Sequence, residues 1–347
     1  MRRYIPLLLA GLCMLFVISA TLLYTMRSAG QKDTGSRLSP VVKTLTVYTT
    51  IPSEMASIIA NEYWQENRIQ INFVPLTLDE MQQRINAGDF NNADLILTDS
   101  QLLVQMAQAG RLSGSISEQQ DIVRDEFKDS GGKWIGVWYD PYVFCYNADF
   151  VKNTWQIPLT WQDLKDSRDI KVAMTDFVAA SAAANLLYSM AEAFGTDDAL
   201  NTMRSVHPKV VRYAKYLSTP LRMAGMGEAD MAVGVQSEAL KYIHDNYPLT
   251  IIYPKDGTAY QLTAAGILSN SYQKEDAAAF VQWLLGDEVQ LALRNSRYYY
   301  VPTNYSSLAY KELACSNVRF FDKNITLDEG SRKKLLDDWV KQVRLTD

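Results

Sequence analysis

Strand-like and helix-like segments alternate along the first third of this 347-residue chain, and their order limits the folds that it can adopt. The stretch TLTVYTT is apolar and β-branched, and PSEMASIIANEYWQEN follows it with apolar residues at helical spacing. Two further pairs come next, IQINFVPL with LDEMQQRINAG and ADLILTD with SQLLVQMAQAG. Because strands joined by helices usually pair in parallel, this order predicts a parallel sheet with helices on its faces.

The alternation restarts after KWIGVWYDPYVFCYN, in which Asp140-Pro141 separates two apolar runs. Strand-like IKVAMT, KVVRY, ADMAVGV and LTIIYP are interleaved with helical AASAAANLLYSMAEAFG, TPLRMAGMG and QSEALKYIHDNY. This pattern predicts a second α/β unit, so that two lobes would enclose a cleft with a hinge. A final amphipathic helix, roughly Ser331 to Val343, is expected to pack on the outside of a lobe.

Charge and composition exclude several classes of function. The formal net charge is -5 and the chain has no basic stripe, so nucleic acid is not an expected partner. His207 and His244 lie far apart in the sequence, which leaves little material for a metal site or a Ser-His-Asp triad. Cys13, Cys145 and Cys315 form no Cys-x-x-Cys motif, and pairing of the last two stays open. We therefore expect neither a metal nor a cofactor.

The N-terminal segment, residues 1–27, predicts export. Arg2 and Arg3 precede an uncharged run from Tyr4 to Met26, which is long enough to span a bilayer as a helix. The arginines would hold the N-terminus in the cytoplasm and place the rest of the chain outside. A membrane anchor and a cleaved signal peptide share this pattern, so both stay open. Residues 28–43 are typical of a polar tether, which would hold a periplasmic or cell-surface body at the cytoplasmic membrane if no cleavage occurs.

The order of its segments resembles that of type 2 periplasmic, or extracellular, solute-binding proteins of ABC importers. The matching stretches include LTVYTTIPSEMASIIANEYWQE, ADLILTDSQLLVQMAQAGRL, KWIGVWYDPYVFCYNADFVK, GEADMAVGV and YPKDGTAYQLTAAGILSNSYQKEDAAAFVQWLLGDEVQ. Together with the segments between them they cover residues 44 to about 303, and the ferric-iron, phosphonate and thiamine binders are the most similar subgroup. The resemblance implies a two-lobed α/β fold of the periplasmic-binding-protein type 2, with residues 44–141 and 262–347 in lobe 1 and residues 142–261 in lobe 2. It also implies hinge strands near Tyr142–Asn147 and Ala259–Ala264.

The same resemblance implies a receptor without enzymatic activity. It would capture a small, anionic ligand between the lobes and deliver it to the permease and ATPase subunits of an ABC importer. Two alternatives stay open, a membrane-tethered ligand sensor with the same fold and a thiaminase-like enzyme with Cys145 as nucleophile. Ferric iron is the less expected ligand, because VGVQSEALKY lacks the adjacent tyrosine pair that the family commonly uses there. Tyr298, Tyr299 and Tyr300 lie instead at the position of a later structural strand.

Candidate ligand-binding residues lie where strands end and helices begin, since open α/β sheets bind ligands there and helix N-termini attract anions. The candidates at these junctions are Thr49, Thr50, Ser100, Thr175, Ser181 and Ser218. Four more lie at or near the proposed hinge: Tyr139, Gln236, Asp256 and Tyr260. The hydroxyl and carboxylate residues at these junctions have a structural alternative as ordinary helix N-caps, and Asp256 would also suit an Asp-Gly turn. Asp99 is left out because its carboxylate would repel an anion.

Overall fold

The computed structural model describes residues 42–90, 92–114, 121–315, 318–321 and 327–346. The expected anchor or signal peptide at residues 1–27, and almost all of the expected tether, lie outside these residues. Among the residues that are described, no helix is long and apolar enough to cross a membrane.

Strands and helices alternate through the first lobe in the predicted order. The strands are β1 (Thr44–Thr49), β2 (Gln70–Pro75) and β3 (Leu95–Asp99), and the helices that follow them are α1 (Ser53–Asn67), α2 (Leu78–Ala87) and α3 (Ser100–Gln108). As expected, β1 pairs in parallel with both β2 and β3. Helix α1 buries Met55, Ile59 and Tyr63 against this sheet, because the three side chains recur on one face of the helix.

A single long strand, β4 (Ile135–Asn147), replaces the two runs that Asp140-Pro141 was expected to separate. Its first half pairs antiparallel with β9 (Tyr260–Ile267) and with the short β10 (Val301–Pro302). Its second half pairs antiparallel with β7 (Met231–Val235) and β8 (Leu249–Ile252). Pro141 lies where β4 changes partners, and a proline is tolerated at such a break in the ladder.

The remaining elements complete the second lobe and return to the first. The second lobe adds strands β5 (Val172–Thr175) and β6 (Val210–Ala214), and helices α4 (Ala148–Asn153), α5 (Trp161–Asp166), α6 (Ser181–Phe194), α7 (Thr196–Val206), α8 (Ser218–Gly225) and α9 (Gln236–His244). The helices after β9 are α10 (Lys274–Leu284), α11 (Asp287–Asn295), α12 (Leu308–Leu313) and α13 (Glu329–Trp339). The strand order is β2-β1-β3-β9-β4-β7-β5-β6, so β9 and β4 join the two halves of the sheet.

Two large clusters of buried side chains form the cores of the two lobes. One contains β1, β3, the first half of β4, β9, α1, α10 and α11, and the other contains the second half of β4, β5, β7, α6 and α7. Leu335, Trp339 and Val343 belong to the second cluster, whereas Leu313 belongs to the first. The chain therefore crosses between the lobes a third time after α12.

The packing of α13 bears on the expected division of the chain, which assigned all of residues 262–347 to lobe 1 and stays a prediction. The apolar face of this helix meets aromatic side chains of the second lobe, with ring centroids of Trp339 and Phe177 4.8 Å apart. The boundaries at residues 141/142 and 261/262 remain predictions, because β4 and β9 run through both without a break.

Candidate functional site

The two threonines between β1 and α1 make different contacts. Thr49 is fully buried, and its Oγ1 donates to the carbonyl oxygen of Leu97 at 2.7 Å and accepts the N–H of Ile51 at 3.2 Å. Thr50 is half-buried, and its Oγ1 lies 2.9 Å from Oγ1 of Thr98 at the end of β3. No side chain caps the N-terminus of α1, so neither threonine serves as its N-cap. Both instead link the end of β1 to β3.

A cavity of about 160 Å³ lies where β1 and β3 end, beside the middle of β4 and the start of β9. It is lined by Thr50, Ile51, Pro52, Met55, Leu78, Asp99, Trp138, Tyr139, Asp140, Gln261, Leu262, Thr263 and Tyr300. Asp99 pairs with Thr263 across β3 and β9, and Asp140 pairs with Gln261 across β4 and β9. Since directly paired residues and every second residue of a strand share a face, these four side chains lie on one face of the sheet.

Asp140 is buried at the point where β4 passes from one lobe to the other. Its Oδ1 accepts the N–H of Ser237 at 2.9 Å, and its Oδ2 accepts the Ser237 hydroxyl at 2.5 Å. Ser237 lies in the first turn of α9, so this pair of hydrogen bonds ties the hinge strand to a helix of the second lobe. Burial raises the pKa of Asp140 to about 7, although the hydrogen bonds from Ser237 oppose the shift.

Contacts of Asp99 and Tyr142 place the start of α6, a helix of the second lobe, beside the cavity. Asp99 is the N-cap of α3 and accepts the N–H of Gln101 at 2.8 Å, while Nδ2 of Asn185 on α6 lies 3.5 Å from its Oδ2. The Tyr142 hydroxyl donates to the carbonyl oxygen of Ala182, at the start of α6, and accepts Nε2–H of Gln261 at 3.0 Å. The N-terminal turn of α6 therefore faces the end of β3 and the hinge.

The predicted residues Tyr139 and Tyr260 lie side by side in an aromatic cluster. The ring of Tyr139 stacks on Phe127 at 4.9 Å, and Phe320 meets both tyrosine rings edge-on. Burial raises the pKa of both phenol groups, so neither provides a phenolate at neutral pH. Tyr139 lines the cavity, but its ring packs as an interfacial aromatic residue would.

Gln236 and Asp256 bind protein groups. Gln236 is buried, its Nε2 donates to the carbonyl oxygen of Leu313 at 2.7 Å, and its Oε1 accepts the Tyr253 hydroxyl at 2.7 Å. The carboxylate of Asp256 accepts the backbone N–H groups of Trp161 and Gln162 at 3.1 and 3.3 Å, at the start of α5. Gln236 thus joins the two lobes, and Asp256 supports the start of α5.

The other four junction residues are the first residues of helices or lie at strand ends. Ser100 begins α3 and is buried, Ser181 begins α6 and is exposed, and Ser218 begins α8 and is half-buried. Thr175 is buried at the end of β5, with Oγ1 3.5 Å from the carbonyl oxygen of Tyr216. Among the described residues around the cavity, Thr50 and Tyr139 are the predicted candidates that line it.

Apart from Tyr139, sequence reasoning missed the residues that line the cavity from the hinge strands. Gln261 and Thr263 alternate along β9, and this period of two within the expected hinge was an available signal. Asp140 directly precedes the proline at the hinge, and Asp99 was recognised but set aside. Tyr300 lines the cavity from the segment before β10, although its tyrosine run was assigned to structural packing.

The surroundings of the cysteines bear on the alternative of a catalytic thiol. Cys145 is buried in β4, and burial raises the pKa of its thiol to about 12, so the nucleophilic thiolate is disfavoured. Cys145 and Cys315 are both free thiols. Within the described ranges, no three or more His, Cys, Asp or Glu side chains are grouped so that they could hold a metal ion. The ring of Tyr299 stacks on His244 with centroids 4.6 Å apart.

Two α/β lobes that are joined by shared strands, with a cavity beside those strands, have the architecture of a two-lobed solute-binding protein. The chain belongs to the family of bacterial extracellular solute-binding proteins, whose family model matches residues 90–327.

Two relatives match part of the chain. An uncharacterized protein of Haemophilus influenzae is 29% identical over 197 residues, which span 55% of this chain and 56% of that protein. The Fe(3+)-binding periplasmic protein of Serratia marcescens is 22% identical over 227 residues, or 62% of this chain and 65% of that protein. The aligned region therefore spans less than two thirds of either relative.

A solved structure confirms the fold. The periplasmic binding protein AfuA of Actinobacillus pleuropneumoniae, determined with fructose-6-phosphate bound, superposes with a TM-score of 0.68 at 22% identity. The superposition covers 88% of this chain and 99% of that one, and so confirms the predicted two-lobed α/β fold with its hinge and cleft. The relatives whose names state a role are binding proteins rather than enzymes, in agreement with the expected class.

Proposed function

We propose that this chain is an exported receptor that captures a small solute in the cavity at its hinge and delivers it to an ABC import permease. The observation that carries the proposal is the composition of that cavity, which takes its lining from the ends of β1 and β3 and from both hinge strands. A ligand there would touch the first lobe and both hinge strands, and contacts that the second lobe adds on closure would make its binding favour the closed form.

The second lobe would complete the site on closure. The start of α6, which carries Ser181, already lies beside the cavity through the contacts of Tyr142 and Asn185. Thr175 ends β5, whereas Ser181 and Ser218 begin α6 and α8. We place these three residues on the surface that closes over the ligand. The closed form would then be recognised by the permease, and the N-terminal segment would export the body of the protein or anchor it to the membrane.

The proposal is tested by asking whether any solute closes the protein. Protein purified without refolding is analysed by native mass spectrometry for a bound solute, and the identified solute is added back to ligand-free protein during small-angle scattering. We expect a decrease in the radius of gyration, and loss of uptake of that solute in cells that lack the gene. A protein that neither carries nor responds to any solute of a broad screen contradicts the proposal.

Replacing each of the two threonines by valine separates a ligand contact from a structural one. Thr49→Val removes two buried hydrogen bonds and should lower the free energy of unfolding by about 1–3 kcal/mol with ligand affinity retained. Thr50→Val should weaken binding of the co-purified solute with a smaller loss of stability, because α1 does not depend on Thr50 as a cap. Urea unfolding and calorimetric titration measure the two effects. Equal affinity in Thr50→Val and the wild type would remove Thr50 from the site.

A further inference from the structure

A third segment crosses between the lobes beside the two hinge strands. The backbone of Thr258, just before β9, donates to the carbonyl oxygen of Arg319 at 2.9 Å and accepts the N–H of Phe321 at 3.0 Å. The buried Thr258 hydroxyl donates to the carbonyl oxygen of Tyr142 on β4 at 2.8 Å. Residues 319–321, which we call the strap, are therefore bonded to the point where the other two crossings meet.

The two phenylalanines of the strap pack in different lobes. The ring of Phe320 meets those of Tyr260 and Tyr139 edge-on, with centroids 4.6 and 5.6 Å away, against the core of the first lobe. Phe321 is buried in the core of the second lobe, and its ring centroid lies 5.0 Å from that of Phe194 on α6. Two consecutive residues thus have their side chains in opposite lobes.

A glycine makes room for the ring of Phe321. Gly257 has a φ of +124°, and a Cβ at this position would lie 2.8 Å from two ring carbons of Phe321. Glycine therefore lets the ring rest directly on the backbone of the second crossing. This close packing leaves the ring little space to shift, so Phe321 is held firmly by the second lobe.

The strap lies behind the hinge strands as seen from two residues of the cavity. Asp140 pairs with Gln261, so their side chains share one face of the sheet, and both residues line the cavity. Tyr139 and Tyr260, on which Phe320 packs, directly precede these two residues and therefore have their side chains on the other face. Bending the strands toward Asp140 and Gln261 would spread apart the groups around Phe320.

We propose that the strap limits how far the two lobes can close over the cavity. The peptide unit holds consecutive Cα atoms about 3.8 Å apart, so the strap cannot lengthen when the groups behind the hinge separate. Further closure would have to pull one of its two rings out of the lobe that holds it, and the lost packing opposes the movement. The inference rests on the receptor function proposed above, since it concerns the movement that closes the lobes, and it names a segment that regulates that movement.

Double electron–electron resonance across the cleft tests the strap with no ligand added. Asp79→Cys in the first turn of α2 and Val178→Cys between β5 and α6 provide exposed sites for spin labels, one on each lobe. Cys13→Ser and Cys315→Ser remove competing sites, and the buried Cys145 is kept. The distance between the two labels then reports the separation of the lobes.

Phe320→Ala and Phe321→Ala should each broaden the distribution of label distances and extend it to shorter distances. A strap that is released at one end no longer restrains the other, so the double variant should match the more affected single variant. Distributions that equal that of the labelled parent protein, shifts to longer distances alone, or shifts that add in the double variant would overturn the inference.

Phe73→Ala is the matched control, because Phe73 is half-buried like Phe320 and lies on β2, at the far edge of the sheet from the hinge. This variant should lose stability without a change in the label distances. A shift as large as that in Phe320→Ala would show that loosened packing of the first lobe, rather than release of the strap, changes the distance. Phe320→Ala removes a ring that is only half-buried, so it carries the test where Phe321→Ala fails to fold.

Failure of this inference can be distinguished from failure of the receptor function. If the protein contracts around a co-purified solute and the strap variants have the label distances of their parent, the strap is overturned and the receptor function stands. If the protein responds to no solute and the strap variants still shift to shorter distances, the receptor function is overturned and the restraint by the strap stands.

Discussion

Relative to Asp140→Asn, the wild-type protein should lose up to about 4 kcal/mol of its free energy of unfolding as the pH rises from about 4 to about 8. The cause is the buried carboxyl group of Asp140, whose pKa is raised from 3.8 to about 7 in the folded state. Between these two values the folded protein holds a proton that the unfolded chain has released, so stability falls with increasing pH. Above about pH 7 the carboxyl group of Asp140 is ionised in both the folded and the unfolded protein, so the stability difference between wild type and variant no longer changes with pH. Urea unfolding of both proteins across this range measures it.

The comparison with a variant is needed because other carboxyl groups titrate over the same range. Asparagine at position 140 retains an oxygen that can accept from Ser237 but does not titrate, so the difference between the two curves isolates this group. Asp198→Asn, which removes an exposed carboxylate on α7, provides the control for the general effect of replacing a carboxylate by an amide. Parallel curves for Asp140→Asn and the wild type would show that Asp140 is not held protonated by burial.

Residue periodicity predicted the order of strands and helices because each element buries a repeating apolar face. In α1 the positions of Met55, Ile59 and Tyr63 already define the buried side. The proline after Asp140 was interpreted as a break, although β4 is continuous there. A proline ends pairing with one partner but does not reveal whether the strand continues with another. Strand continuity through the hinge therefore depends on β7 and β9, which are far away in sequence.

The candidate site was less predictable because its contacts join distant segments. A threonine before a helix matches an N-cap pattern, but the partner of Thr50 is the Thr98 hydroxyl at the end of a different strand. Tyr139 lines the cavity and its role in binding stays a prediction, but the stacking of its ring on Phe127 could not be predicted from the sequence. Asp99 was set aside on the assumption of an anionic ligand. Its position on the cavity becomes evident only when the register of β3 against β9 is known.

The last helix illustrates the same limit. Its amphipathic pattern predicts a buried face, but such a pattern does not specify which lobe receives that face. Trp339 and Val343 pack in the core of the second lobe, which the chain reaches by crossing from α12 in the first. Residues that come long after β9 in the sequence thus pack in the core of the second lobe, which is formed mainly by residues 142–261.

Trp339→Ala should therefore lower the free energy of unfolding by about 3–5 kcal/mol, the range for removal of a fully buried tryptophan. The indole packs against Phe177 and Tyr213, with ring centroids 4.8 and 5.6 Å away. Because Phe177 follows β5 and precedes α6, the cavity left by the substitution would loosen the segments that carry Thr175 and Ser181. Urea unfolding measures the loss, and hydrogen exchange locates it.

Trp155→Ala is the matched control, because this tryptophan is 106% exposed and its removal should change stability by no more than about 0.5 kcal/mol. In Trp339→Ala, hydrogen exchange should accelerate in β5 and α6 and stay unchanged in β1 and α1, whose core lies in the other lobe. Equal effects of the two substitutions, or faster exchange in both lobes alike, would show that α13 is not an integral part of the second lobe. Faster exchange in the second lobe alone would instead show that α13 must move with the lobe that carries Ser181. The third crossing of the chain, after α12, would then constrain lobe closure.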